Sequence, residues 1–172
     1  MTAAAATRPD LGSILAALAA ASSRPRYAFM VLGLIAEAAR ADGEAGPWVQ
    51  VPAPARDSGA GVERVSLRDW LARQLVPLAA RDRRRADLRA RVAARIGSSD
   101  PDRVEAALAE EALAIGKANV SRAVSDLVRA GLVRRHYAGR ITDHCNRGGR
   151  RLAVYRVDPP VLNAIRSRAT LV

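Results

Sequence analysis

The sequence predicts a mainly α-helical protein that closes on a C-terminal β-hairpin and carries a helical extension at its N-terminus. Three observations support this. The 172 residues are 49% apolar but only 3% aromatic, so the core must come from Ala, Leu, Val and Ile, and the abundant Ala, Leu and Arg are good helix formers. Apolar residues recur at i, i+3, i+4 and i+7 in several segments before Gly131. After Gly131 the pattern becomes strand-like, with alternating and β-branched residues.

Taken in order, residues 1–9 read as a disordered tail. Asp10 is placed to cap a helix bearing Leu11, Ile14, Leu15 and Leu18, which Ser22-Ser23-Arg24-Pro25 breaks. A second helix runs to about Arg40 with the stripe Tyr27, Met30, Val31, Leu34, Ile35 and Ala38. Residues 42–65 are rich in Gly and Pro and predict a long loop, with Trp48-Val49-Gln50-Val51 as a short strand. Ser66-Leu67-Arg68-Asp69 resembles a capping box ahead of a helix that places Leu67, Trp70, Leu71 and Leu75 on one face. Pro77 is expected to open the next helix, from about Leu78 to Ile96, with Gly97 ending it. Ser99-Asp100-Pro101 starts a helix to about Leu113. A tight turn and a helix from about Lys117 to Ala130 follow, stopped by Gly131. Strands are expected over Leu132 to Ile141 and Leu152 to Val157. Pro159-Pro160 ends the second strand, and a short helix occupies 161–168. The expected division is 1–65, a helical extension plus loop that packs or dimerises, and 66–172, the main domain.

The net charge is +11 and the pI near 11.4, a balance that points to a polyanionic partner. GC-rich codons account for an overall excess of arginine but not for its position. Residues 98–115 carry one Arg against five acids, whereas 116–157 carry Lys117 and nine Arg against Asp126 and Asp143. Basic charge concentrated on one helix and one hairpin is the footprint of phosphate binding. Residues 77–97, with seven Arg and two Asp, read equally well as a solvated helix face.

Several other functions find no support. Cys145 is the only cysteine, so no internal disulfide is possible and a cytoplasmic protein is expected. The N-terminus lacks a secretory pattern, and the longest apolar run, Ala28 to Ala36, is too short to span a bilayer. His136, His144 and Cys145 are too few for a metal site, so no metal or cofactor is expected. No phosphate-binding loop, dinucleotide glycine pattern or nucleophile elbow occurs, and the chain is not expected to be an enzyme.

At about 100° per residue, Val120, Ala123, Val124, Leu127 and Val128 fall on one side of the Lys117–Ala130 helix. Ala118, Arg122, Ser125 and Arg129 lie opposite, flanked by Asn119, Ser121 and Asp126. A helix in the major groove needs small residues for close approach, Arg for guanine, Asn for adenine and Ser for base or phosphate, and its N-terminus adds N–H donors for phosphate. The segment from Leu113 to Arg135 resembles the helix-turn-helix of bacterial winged-helix regulators, the MarR type among them. Those proteins follow a turn with a recognition helix of the pattern VSRxVxxLxxxGLVxR. Ala114 stands where they usually have the turn glycine, and Gly116 where they usually have a serine cap. The resemblance covers roughly residues 103–157. It implies a winged helix-turn-helix that reads duplex DNA through Lys117, Ala118, Asn119, Ser121, Arg122, Ser125 and Arg129. The hairpin would be the wing, with Arg134, Arg135 and Arg151 on phosphates and Arg140 among its DNA-binding residues. His144 and Asn146 belong to its tip, and Arg147 and Arg150 are candidates for the minor groove. Tyr137 and Tyr155 are expected to pack within the strands. A sequence-specific, nucleoid-associated transcription regulator acting as a homodimer is the leading expectation. A replication or partition initiator and a winged-helix module for protein or RNA contact are the alternatives.

Overall fold

The computed structural model describes residues 9–53, 61–79, 83–97, 100–138 and 152–169. The protein is mainly helical with small antiparallel sheets. The described elements are α1 (Leu11–Ala21), α2 (Pro25–Ala38), β1 (Glu44–Ala45), β2 (Trp48–Pro52), β3 (Val62–Ser66), α3 (Leu67–Ala79) and α4 (Arg83–Ile96). They continue with α5 (Pro101–Arg129), β4 (Val133–Ala138), β5 (Leu152–Val157) and α6 (Pro159–Ala169). The chain forms two compact units. One comprises residues 1–67 and 122–172, the other 68–121, and α5 is common to both.

In the first unit, β1, β5 and β4 form an antiparallel sheet in that order. Gly43 lets β1 join it. Its φ is +81°, and a Cβ there would collide with the Val157 carbonyl oxygen, so only glycine fits. The Val157 N–H donates to Gly43 O at 2.9 Å. Ile14 and Leu18 of α1, Val31, Leu32 and Ile35 of α2, Val124 and Leu127 of α5, Val133, Val157 and Leu162 are all buried. Each such side chain contributes about 1.5–3 kcal/mol of burial free energy. Residues read as an N-terminal extension therefore supply one strand of the sheet and part of this core.

Local signals govern the helix ends. Asp10 accepts the Ser13 N–H at 2.7 Å, which caps α1 as expected. At the end of α5, Gly131 takes a φ of +71°. Leu132 N–H reaches Leu127 O at 3.0 Å and Gly131 N–H reaches Val128 O at 3.1 Å, a Schellman termination. The C-terminus of α2 is capped from a distance: the Arg166 guanidinium donates to Ala36 O at 2.9 Å and Ala39 O at 2.6 Å.

The second unit holds most of α3, all of α4 and the first two-thirds of α5. Leu71, Ala72 and Leu75 of α3 are buried, as are Val92 of α4 and Val104, Leu108 and Val120 of α5. Arg85 and Arg89 of α4 pair with Glu105, and Arg95 with Glu111 at 2.9 Å.

The structure corrects several expectations. No turn separates 101–113 from 117–130: α5 is one helix of 29 residues. Neither Leu113, Ala114 nor Ile115 breaks a helix, and Gly116 lies inside this one. A Cβ on Gly116 would meet Ala72 Cβ at 3.4 Å, an ordinary contact, so α3 packs against this position. The helix-turn-helix expected over 103–130 is therefore absent as a contiguous motif. Helix α3 runs past Pro77 to Ala79, since a proline in the last turn costs a single intrahelical hydrogen bond. The stretch expected to be mainly loop holds β1 and most of β3, and the strand expected over Trp48–Val51 is β2, which runs to Pro52; two-residue β1 and short β3 show too little alternation to be read. The buried arc of α2 is Ala28, Val31, Leu32, Ile35 and Ala36, shifted from the expected stripe because α1, α6 and the sheet all contact this helix. Met30 is left 37% exposed. The two prolines at 159–160 form the first turn of α6.

Candidate nucleic-acid interface

The stripe that anchors the end of α5 is Val120, Ala123, Val124 and Leu127, all buried. Val128, expected in the same stripe, is 38% exposed because it lies at the edge of the buried arc. On the opposite side Ala118 and Arg122 are exposed, while Asn119, Ser121 and Ser125 are half-buried.

The polar residues on this helix have unequal freedom. Lys117 Nζ pairs with Asp69 of α3 at 3.0 Å. Ser121 Oγ donates to Lys117 O at 2.9 Å, the back-bonding common for serine within helices. Arg129 Nη1 donates to Ala21 O at 2.7 Å and to Asp126 at 3.0 Å, and Asp126 also accepts from Ser22 Oγ at 2.7 Å. This network ties the end of α5 to the end of α1. Among the described residues Arg122 makes no hydrogen bond or ion pair, so unlike Arg129 it is available to a ligand.

The hairpin follows α5 directly. All of Arg134, Arg135, His136 and Tyr137 on β4 are exposed, and β4 is an edge strand of its sheet. Arg134 pairs with Asp158 at 3.2 Å, and the Arg135 guanidinium stands 5.8 Å from the centre of the Tyr137 ring. Tyr155 is packed in the core as expected, whereas Tyr137 is 49% exposed beside Arg135 because β4 extends past the core. Arg140, His144, Asn146, Arg147, Arg150 and Arg151 lie outside the described residues, and so does Cys145.

Two features emerge only in three dimensions. Arg156 on β5 is exposed and lies opposite Arg134, a pairing set by strand register, which no local sequence signal encodes. On the β2–β3 hairpin, Arg64 stacks on the exposed Trp48 ring at 5.4 Å from its centre. Tyr27 is half-buried, and desolvation raises its phenol above the ordinary range. Asp42 is lowered, first by the backbone N–H of Glu44 and then by Arg40, after a small opposing desolvation. Among the described residues no cluster of three or more His, Cys, Asp or Glu could hold a metal ion, and no helix is long and apolar enough to cross a membrane.

Comparison with protein families, with curated proteins and with solved structures finds no match for this chain.

Proposed function

We propose that this protein is a duplex-DNA-binding regulator of the winged-helix kind, reading bases with the end of α5 and gripping the backbone with the β4–β5 hairpin. The observation that carries the proposal is the order of the elements around the sheet. Helix α2 leads to short β1, α3 follows, then α5 and the β4–β5 hairpin, and β1 adds to the hairpin on the β5 side. We read that order as a winged helix with the β2–β3 hairpin, α4 and the first half of α5 inserted. In this reading α3 is the helix that precedes the reading helix. Its approach to Gly116 and the Asp69–Lys117 pair stand in for the contiguous turn.

The chemistry agrees with this reading. Ala118 and Asn119 allow close approach and adenine recognition, and Arg122 provides a bidentate donor for guanine. Arg134 and Arg135 contribute the sequence-independent part. A homodimer belongs to the proposal, since two half-sites one helical turn apart multiply the affinity of a small reader.

Selection from a random duplex library followed by a salt titration tests it. An enriched motif is expected, with affinity falling steeply and linearly on a log–log scale as salt rises. Sedimentation of the protein–DNA complex should show two chains per site. No enrichment, or an affinity independent of salt, would refute the reading.

A further inference from the structure

The outward face of the three-stranded sheet holds two arginines in an arrangement that sheet chemistry disfavours. Arg134 on β4 and Arg156 on β5 are directly opposite in antiparallel register, which sets their Cβ atoms about 4.5–5.5 Å apart on one face. Both are exposed. Like charges so placed destabilise a sheet.

Neighbouring carboxylates offset only part of that repulsion. Glu44 on β1 is the other cross-strand neighbour of Arg156. Its carboxylate is held by Arg40 at 3.1 Å and stands 3.7 Å from His136 Nε2. Asp158 pairs with Arg134 at 3.2 Å through one nitrogen of that guanidinium. Among the described residues Arg156 makes no hydrogen bond or ion pair. Two guanidinium groups thus share one face, one of them unmatched and the other only partly used.

We infer that Arg134 and Arg156 form a clasp for a single phosphate group, which within the DNA-binding reading is one phosphodiester of the duplex. A tetrahedral oxyanion offers oxygens to both forks at once, and charge-assisted bonds of this kind are among the strongest available to a side chain. The anion converts the cross-strand repulsion into two attractions. The clasp sits on the sheet face, away from the hairpin tip, and fixes the position of the protein on the backbone without reading sequence.

The test uses the full chain as wild type, Arg134→Ala, Arg156→Ala and the double variant. Arginine Nε–Hε signals are followed by NMR as inorganic phosphate, and then the selected duplex, is added. Both arginine signals are expected to move together in the wild type, and Arg156→Ala should abolish the phosphate-induced shift at Arg134. Duplex affinity should fall about tenfold in each single variant and by about the same factor in the double, because both side chains hold one group. Arg156→Ala should melt no lower than wild type, since it removes a repulsion, which separates ligand binding from a structural role. Losses that multiply to about a hundredfold in the double variant would overturn the clasp. So would an Arg134 response to phosphate that survives Arg156→Ala. Phosphate shifts without duplex binding would support the clasp and overturn the DNA reading. Duplex binding that leaves both arginine signals unmoved would overturn the clasp alone.

Discussion

The two halves of α5 share one unbroken backbone and have opposite electrostatics. The first half, from Pro101 to Gly116, carries Asp102, Glu105, Glu110 and Glu111, and α4 supplies Arg85, Arg89 and Arg95 against Glu105 and Glu111. Of these acids Glu105 and Glu111 are paired within the protein. The second half buries Val120, Ala123, Val124 and Leu127 and fastens its end to α1 through Asp126 and Arg129. It leaves Arg122 with no partner among the described residues. Helical continuity therefore says little about function. What distinguishes the halves is the sign of the charge left over, mainly acidic in the first half (Asp102 and Glu110 against Arg103) and basic in the second (Arg122), because only a basic remainder can attract a polyanion.

The largest effect should come from the junction of the halves. Gly116→Pro would sit in the interior of a continuous helix and should cost about 3 kcal/mol or more. Gly116→Ala should stay within about 1 kcal/mol of wild type, because the added methyl meets Ala72 at ordinary contact distance and alanine favours helix. Chemical denaturation checks both. A well-tolerated proline would mean that the halves are separated by a turn after all. Next comes the tether. Asp126→Ala leaves Ser22 Oγ and Arg129 without their shared acceptor and should cost about 1–3 kcal/mol. Hydrogen exchange should quicken at the end of α1. Exchange that is unchanged there would mean that α1 is held by its apolar contacts alone.

Arg122→Ala sharpens the contrast from the side of the ligand. Stability should be unchanged, because the side chain is exposed and unpaired. Affinity for the selected duplex should fall by about 1–3 kcal/mol, and preference at one base position should relax. An unaltered motif would remove Arg122 from the reading surface.

How far the sequence foretold this arrangement depended on the range of the interaction. Asp10, Asp100-Pro101 and Gly131 mark helix ends through contacts within a few residues, and all three were legible. The hairpin was legible from the change of period, and β5 was placed at its observed limits. The continuity of α5 was not, because Gly116 lies inside the helix against α3, and a glycine within a helix looks the same in sequence as one kept for a turn. Arg129 read as a ligand contact by its position on the helix, yet its guanidinium lies on Ala21 O, 108 positions away. The pairing of Arg134 with Arg156 required the strand register, which the connecting segment does not specify.

The smallest effect should come from the acidic half, and it tests the comparison most directly. Glu105→Gln combined with Glu111→Gln releases Arg85, Arg89 and Arg95 from their partners without changing side-chain size. The lost pairs are exposed, and each contributes between about 0 and 1 kcal/mol, so the melting temperature should move by only a few degrees. If the first half of α5 and its α4 partner take no part in binding, affinity for the selected duplex and the slope of its salt dependence should both match wild type. Each additional phosphate contact would steepen that slope by about 0.9. A double variant whose slope steepens by two or more such steps would bring the α4 arginines into the phosphate-contacting set. The carboxylates of α5 would then be what holds them in check, and the division between the two halves would give way to a single basic surface with an acidic restraint.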